Sequence, residues 1–590
     1  MFPRSLFVLG LACLSAAASA ATTELLRDLD TTGRISGSSS EQYIALGDSV
    51  VFTAEVTGSN RELWITDGTT GGTRMVKEMV PGDDSNFPLG LLRVGSLVYF
   101  RAGVDDGQRL WRTDGTEAGT LELGVPDPWI RRPEDSVCSA PWAGAWNGRV
   151  WLFSHPRAGA QELWSTDGTV AGTRLEFVLP QALAGAELCG LHATANGLAF
   201  MIIRAGQEEL WRTDGTLAGT FRLGSIRPAG FQDANPARGL IVSTGGVVYL
   251  LASDGGAYEP WRSDGTQAGT APVGGLPSGT GGGRIFRPVV LGDGIVFAYL
   301  SETGLANGLW RVASPTAAAT LIKEGDVMKD FLPVSAGSRV FFGHTNVNVT
   351  SLWVSDGTAA GSQELFSYGA GVPPLVNAYF AGDGVLFYHG PVDASGQQLW
   401  VTNGIPGAQR RISDFVSNVG TQRADYALLD GLPVFTHFDQ VLGYEPWIVR
   451  GAAPTATAEA GTLTAGGNLL IEVKANDTDA DSLPADLSVS IAAAPAHGTA
   501  VIVGGAIRYT PASGYSGGDT FQYRLIDELG RNSNAATVTI TVNAAPGTGG
   551  GGGGGGDAGG SGGGGALDWL LFAALTAASY RRSRKVFARH

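Results

Sequence analysis

Six aspartates stand at one position of a recurring segment. Asp67, Asp114, Asp167, Asp214, Asp264 and Asp356 each take the third place after a tryptophan, in ELWITDGTTGGT, RLWRTDGTEAGT, ELWSTDGTVAGT, ELWRTDGTLAGT, EPWRSDGTQAGT and SLWVSDGTAAGS. A ring of such carboxylates can ligate cations or move protons. A ring of turns is the competing reading, because the carboxylate of an Asp-Gly pair after a strand accepts backbone N–H groups and the glycine tolerates positive φ. One carboxylate per turn falls far below the roughly six to eight oxygens calcium takes. The turn is therefore the favoured reading, with calcium coordination and acid–base chemistry as the alternatives.

Histidine gives a second pattern. His155, His344, His389 and His437 follow Phe153, Phe342, Phe387 and Phe435 by two places, each Phe being the last aromatic residue of an apolar segment. In a strand this sets each imidazole on the face of its phenylalanine, near the loop that follows. Neutral imidazoles gathered there can bind a metal or a carboxylated ligand; a strand end tolerant of polar side chains is the alternative. The sequence holds no HExxH, no CxxC, no phosphate-binding glycine loop before a helix and no nucleophile elbow, so no catalytic residue is assigned.

The elements that position these residues follow from the period. Trp64, Trp111, Trp164, Trp211, Trp261, Trp310, Trp353, Trp400 and Trp447 are spaced by 43 to 53 residues. A glycine and a short apolar segment (GDSVVF, GSLVYF, GRVWLF) precede each, with 14 to 17 residues from that glycine to the Trp but 27 to 37 from the Trp to the next glycine. The hairpin is thus fixed and the insertions lie beyond it. Four short strands in roughly 40–50 residues make a propeller blade; in the first repeat they are expected at Gln42–Leu46 (A), Val50–Ala54 (B), Glu62–Thr66 (C) and Thr73–Met79 (D). Strand B is apolar without alternation, as expected where neighbouring blades cover both faces. Thr23–Leu29, TELLRDL, looks like a D strand ahead of any complete repeat, and the ninth repeat stops before its own. Pairing the two closes the ring and leaves no open edge. The expectation is all-β: a β-propeller of about nine four-stranded blades over 21–452, with eight blades and one irregular unit as the alternative.

Composition agrees. With 88 glycines and 16% charged residues in 590, the chain favours strands and tight turns. Residues 1–20 read as a secretory signal peptide, with Arg4, an apolar run and Ala-Ser-Ala before Ala21. Without these and the tail from Ala566, Lys+Arg falls from 40 to 34 and Asp+Glu from 55 to 54, a net charge of −20. A surface so acidic excludes nucleic acid as a partner. Cys138 and Cys189, 51 residues apart or about one repeat, are expected to form a disulfide in an oxidising compartment.

The repeated ELWxTDGTxAGT resembles the bacterial ELWxxDGT repeat family over Thr23 to about Gly451; the resemblance implies secreted or surface proteins that form β-propellers. Residues 453–544, with NDTDAD, HGT, YTP, GYSGGDTFQY and TVTITV, resemble bacterial immunoglobulin-like, cadherin-related domains. That resemblance implies a β-sandwich serving as a spacer or adhesive module. Asn476, Asp477, Asp479, Asp481 and Asp519 make it oxygen-rich enough for calcium, with ordinary polar loops as the alternative. A Gly-rich linker fills 545–565. In 566–590 a short apolar stretch precedes RRSRK. Trp569–Tyr580 as a helix reaches only ~18 Å, short of the ~30 Å hydrocarbon core. The order of glycine run, apolar stretch and arginine cluster resembles the GlyGly-CTERM sorting signal. It implies transient inner-membrane association, processing by signal peptidase and a rhomboid-family protease, and delivery to the surface or medium of a Gram-negative bacterium. A lasting membrane tail is the alternative.

Length variation falls between each Trp and the next glycine, and the longest such segment contains PDPWIRRPEDSVCSAPW, Pro126–Trp142. In an up-and-down blade the D–A and B–C loops share one side of the ring. Loops on a rigid scaffold collect binding residues, so the candidate contacts are Trp129, Arg131, Arg132, His344, His389 and His437. The expected function is non-enzymatic binding or adhesion to an extracellular polysaccharide or protein; the alternative is a polysaccharide lyase or hydrolase on the same scaffold.

Overall fold

The computed structural model describes residues 22–545 apart from 30–39, 56–60, 80–87, 104–108, 127–141, 156–160, 181–182, 184–185, 205–206, 225, 229–241, 255–258, 278–282, 302–303, 305–306, 328–332, 347–348, 369–375, 383, 391–397, 407–408, 413–425, 440 and 485. Its first repeat folds as an antiparallel sheet of strands Glu41–Leu46 (A), Ser49–Glu55 (B), Arg61–Thr66 (C) and Arg74–Lys77 (D). Eight further sheets of the same order follow along the chain; in blades 5 and 7 strand A comes as two pieces, each paired with strand B. The ninth sheet takes its outer strand from the start of the described chain. Thr22–Leu25 pairs antiparallel with Gly443–Arg450, setting Leu25 opposite Trp447.

Strand B is buried on both sides because successive residues serve successive seams. Phe52 packs toward blade 9 with Leu429, Val434 and Ile448, whereas its neighbour Val51 packs toward blade 2 with Val98 and Phe100. This period of two explains an apolar run without alternation. Among the described residues nine apolar clusters lie one to a seam, and the cluster between blades 9 and 1 also takes in Leu26 and Leu29. Among the described residues the blades are nine, without an irregular unit. The motif Leu-Trp sits on a register shift between strands C and D in blades 1, 3, 6 and 7, a bulge that adds twist as a blade fans outward.

The chain leaves the ninth blade at Arg450 and enters a sandwich. One of its sheets orders Glu459–Thr464, Ala536–Asn543, Gly517–Ile526 and Ser488–Ala493, and the other orders Leu469–Ile471, Ala506–Pro511 and Gly498–Val503. Alternating inward residues such as Phe521, Tyr523, Leu525, Val538 and Ile540 fill the space between them. Leu529, in the turn after Gly517–Ile526, is 3% exposed because it packs outside its own domain, with Val385, Phe387, Leu432 and Phe435 between blades 8 and 9.

Candidate ligand face

The repeated aspartates are turn residues. Asp114 Oδ1 accepts the Thr116 amide at 2.9 Å and the Thr116 hydroxyl at 2.7 Å, and the Gly119 amide donates to Thr116 Oγ1 at 2.9 Å. The Thr113 and Thr120 hydroxyls, at the two ends of the turn, meet at 2.7 Å. The Asp–Thr contact recurs at Asp67, Asp167, Asp214, Asp264 and Asp356 with the same 2.7 Å hydroxyl distance. The Thr116 hydroxyl, first among the causes, holds Asp114 below the usual carboxylate range.

Both glycines of the segment are steric requirements. A Cβ on Gly119 would lie 2.0 Å from Asp114 Oδ1, so the carboxylate occupies the space a side chain would need. Gly115, at φ +89°, would bring a Cβ within 2.8 Å of Ile65 in the preceding blade. Preceding blades also donate to the turns: Arg311 Nη1 reaches Asp356 O at 3.2 Å, Asn196 Nδ2 reaches Asp264 O at 3.0 Å, and Arg450, which replaces the aspartate in the ninth repeat, bonds Gly68 O. Each carboxylate thus folds its own turn, and in three of the turns a main-chain carbonyl takes a bond across the seam.

Antiparallel order puts these C–D turns and the A–B turns on one edge of every sheet, and the B–C and D–A connections on the other. Trp129, Arg131 and Arg132 lie outside the described residues, as does Cys138. Cys189 is in strand A of blade 4, paired with Met201. His344, 8% exposed, places Nε2 2.9 Å from Glu324 O of blade 6 and meets Trp353 edge-on at 5.9 Å. His437, 1% exposed, stands opposite Glu445 and meets Trp447 edge-on at 5.5 Å. Both rings lie beneath the rim of the face. His389 does not share their position: it is opposite Leu399, because Tyr388 and not Phe387 pairs with Trp400. In blade 3 the partner of Trp164 is Leu152, which moves His155 out of step as well. A slip of one residue sends a strand's side chain to the other face; counting from the last aromatic residue concealed it. His192, on the bulge of strand A in blade 4, carries no such sequence signal, and burial pushes it down to about 4, so it stays neutral.

The sandwich oxygens are spread over two ends of one domain. Asp519 accepts the Ala496 and His497 amides at 3.1 and 2.9 Å and the Tyr509 hydroxyl at 2.8 Å. Asp477 takes the Thr457 amide at 2.7 Å and the Tyr523 hydroxyl at 2.9 Å, and the backbone carbonyl of the adjacent Asn476 accepts the Thr457 hydroxyl at 3.4 Å. Asp479 takes the Asp481 and Ser482 amides, and Asp481 takes the Ala452 amide at 2.7 Å. Asp519 stands near the start of Gly517–Ile526 and the Asp479–Asp481 pair beside its far end, so the five are not brought to one point. Among the described residues no three Asp, Glu, His or Cys side chains converge on a metal-sized site.

Residues 451–544 match the bacterial cadherin-like domain family. No curated protein matches the chain. Among solved structures it is similar to a prolyl endopeptidase (9% identity, TM-score 0.34, covering 62% of this chain and 54% of that one). It is also similar to apo prolyl oligopeptidase B from Galerina marginata (11% identity, TM-score 0.33, 72% and 58%) and to TolB from Acinetobacter baumannii (13% identity, TM-score 0.23, 52% and 76%). The chain spans little more than half the length of the two peptidases.

Proposed function

We propose that the protein is an exported, surface-displayed binding protein whose nine-bladed ring presents the B–C and D–A connections to an extracellular polysaccharide or protein, with the cadherin-like domain holding the ring away from the cell. One observation carries this reading. The repeated carboxylates, the residues best suited by type to chemistry, are spent on their own turns at one edge of the blades, while the longest and most varied connections leave from the other. Loops on a rigid scaffold are free to vary without cost to the ring. The buried His344 and His437 support such a face from below, so the first contacts are assigned to its loops, Trp129, Arg131 and Arg132 among them.

The reading includes a cleaved signal peptide, a Cys138–Cys189 bridge and a sorting tail of the GlyGly-CTERM type. It is tested by incubating the mature protein with a panel of extracellular polysaccharides and assaying retention and chain cleavage together. Retention without cleavage, reduced on deleting Trp129–Arg132 at unchanged melting temperature, is expected. Release of shortened chains would make it an enzyme instead. Loss of binding on changing only the A–B and C–D turns would put the ligand on the opposite face.

A further inference from the structure

A strand at the edge of a sheet offers a row of backbone N–H and C=O groups to any other strand, and proteins guard such edges with charge, proline, bulges or short length. This chain guards its edges throughout the ring. The outer strand of every blade carries an arginine, lysine, glutamate or proline, such as Arg74 and Lys77 in blade 1 or Glu122 and Pro126 in blade 2. In the sandwich, Glu459–Thr464 begins with a glutamate, Leu469–Ile471 is three residues long, and Ser488–Ala493 has a register shift between Ile491 and Ala493. Gly498–Val503, at the edge of the smaller sheet, has none of these guards. Its sequence GTAVIV lacks charge and proline, it pairs residue for residue with Ala506–Pro511, and none of its residues is buried. Val501 is 56% and Ile502 43% exposed.

The turn decides which backbone groups are left over. Gly504 and Gly505 both have positive φ, +60° and +87°, as a two-residue type I′ turn requires. Val503 and Ala506 therefore exchange hydrogen bonds across it, and so, at alternate pairs, do Val501 with Arg508 and Thr499 with Thr510. Pro511, which has no N–H, stands opposite Gly498, in a pair that needs none. The N–H and C=O groups of Gly498, Ala500 and Ile502 thus point away from the sheet, and among the described residues no strand pairs with them on that side.

We infer that this edge pairs with the same edge of a second copy of the chain, antiparallel about a two-fold axis at Ala500, so that the smaller sheets of two sandwiches become one. The register is self-complementary. Ala500 meets its own counterpart and Gly498 meets Ile502, each pair exchanging two backbone bonds. Thr499 of one copy then covers Val501 of the other, and the exposed Ile502 lies across from a glycine that leaves it room. No like charges are opposed, because the strand has none. The turn end of the hairpin lies at the ring, where Ile502, Gly504 and Gly505 share a cleft with Ile405 and Pro406 of blade 8, and Asn403 of the same blade 8 turn reaches Ser488 Oγ and Asp527 O at 3.5 Å. That cleft leaves space for the incoming Gly498 end of the second copy. Antiparallel pairing then sets the two rings at opposite ends of the joined sandwiches. With the B–C and D–A connections as the ligand face, the pair is bivalent and its two faces point outward; this consequence rests on the proposed function, whereas the pairing does not.

Sedimentation of the mature protein over roughly a hundredfold range of concentration tests this. The mass is expected to double as concentration rises, and Val501→Lys, which places a guard on the exposed face of the edge, is expected to stay single at unchanged melting temperature. Register is tested with Thr499→Cys and Val501→Cys. Oxidation is expected to link the two variants when mixed and neither when alone, since residues 499 and 501 of different copies are opposed while like residues are diagonal and beyond the roughly 7 Å reach of a disulfide. A wild type of single mass throughout overturns the proposal, as does a Val501→Lys variant that dimerises like wild type or a mixture that does not link. If the single wild type instead takes up a synthetic peptide of alternating threonine and valine, the proposal is equally overturned and the edge belongs to a strand of another protein. None of these measurements involves ligand, so a failure here leaves the ligand face untouched.

Discussion

The amide of Leu29 donates to Glu445 Oε2 at 3.1 Å across 416 residues of chain. Glu445 is fully buried in strand C of the last blade, so its carboxylate fastens the closing strand from inside. Replacing Glu445 by Ala leaves a buried amide unpaired and is expected to cost about 1–3 kcal/mol. Deleting residues 21–30 removes the strand itself and is expected to lower the melting temperature further. Equal melting temperatures for wild type and the deletion would show that the ring does not depend on this closure.

The turn predicts a rescue. Gly119→Ala alone drives its methyl group into the Asp114 carboxylate, and Asp114→Ala alone loses the two bonds to Thr116, about 1 kcal/mol or more. In the double variant the methyl group meets no carboxylate, so it is expected to be more stable than Gly119→Ala. Urea unfolding of the four proteins measures the coupling; strict additivity would mean that the aspartate is not what excludes a side chain at residue 119.

Acid should act on the same turns. Asp67, Asp114, Asp167 and Asp356 are held below the usual range, foremost by the hydroxyls of Thr69, Thr116, Thr169 and Thr358. Their folded values are depressed, so the stability they contribute is present above about pH 4 and is lost as the pH falls below it through the lower folded values. Melting temperature followed from about pH 6 to about pH 2.5 should drop steeply at the acid end. Thr116→Val should make that drop shallower, which a change in packing alone would not do.

In the sandwich, Asp519 is expected to act as a hydrogen-bond hub. Asp519→Asn keeps the size but weakens acceptance from His497, Tyr509 and Ala496, and is expected to destabilise the domain by about 2 kcal/mol. The loss should be the same in EDTA and in excess calcium. A loss seen only with calcium would make the residue a ligand.

The repeat was legible because its landmarks are chemical: Trp on strand C, Gly at the A–B turn and Asp-Gly at the C–D turn each have one physical job, so counting them gave nine blades and the closing strand. Register was less legible. Phe387 and Tyr388 are equally good strand residues, and only cross-strand pairing decides which stands opposite Trp400. The junction was legible only in its exception. Asn403 stands where six repeats have aspartate and reaches Ser488 and Asp527 of the sandwich, but Leu529 carries no periodicity linking it to the seam between blades 8 and 9.

The turn glycines lean one way round the ring: Gly68 on Leu429, Gly115 on Ile65, Gly168 on Leu97, Gly215 on Trp151, each against the blade before it. Each of these four blades therefore has a socket side and a plug side, and one plug accepts leucine, isoleucine or tryptophan alike. Such couplings are interchangeable. A duplicated blade can be spliced in without redesigning its neighbours, and a circular permutant that joins the old ends and starts at another seam can close on the contacts already present there. The blade count then records how many units the curvature admits rather than which units they are, and only blades 8 and 9, bound to the second domain, have fixed places in the circle.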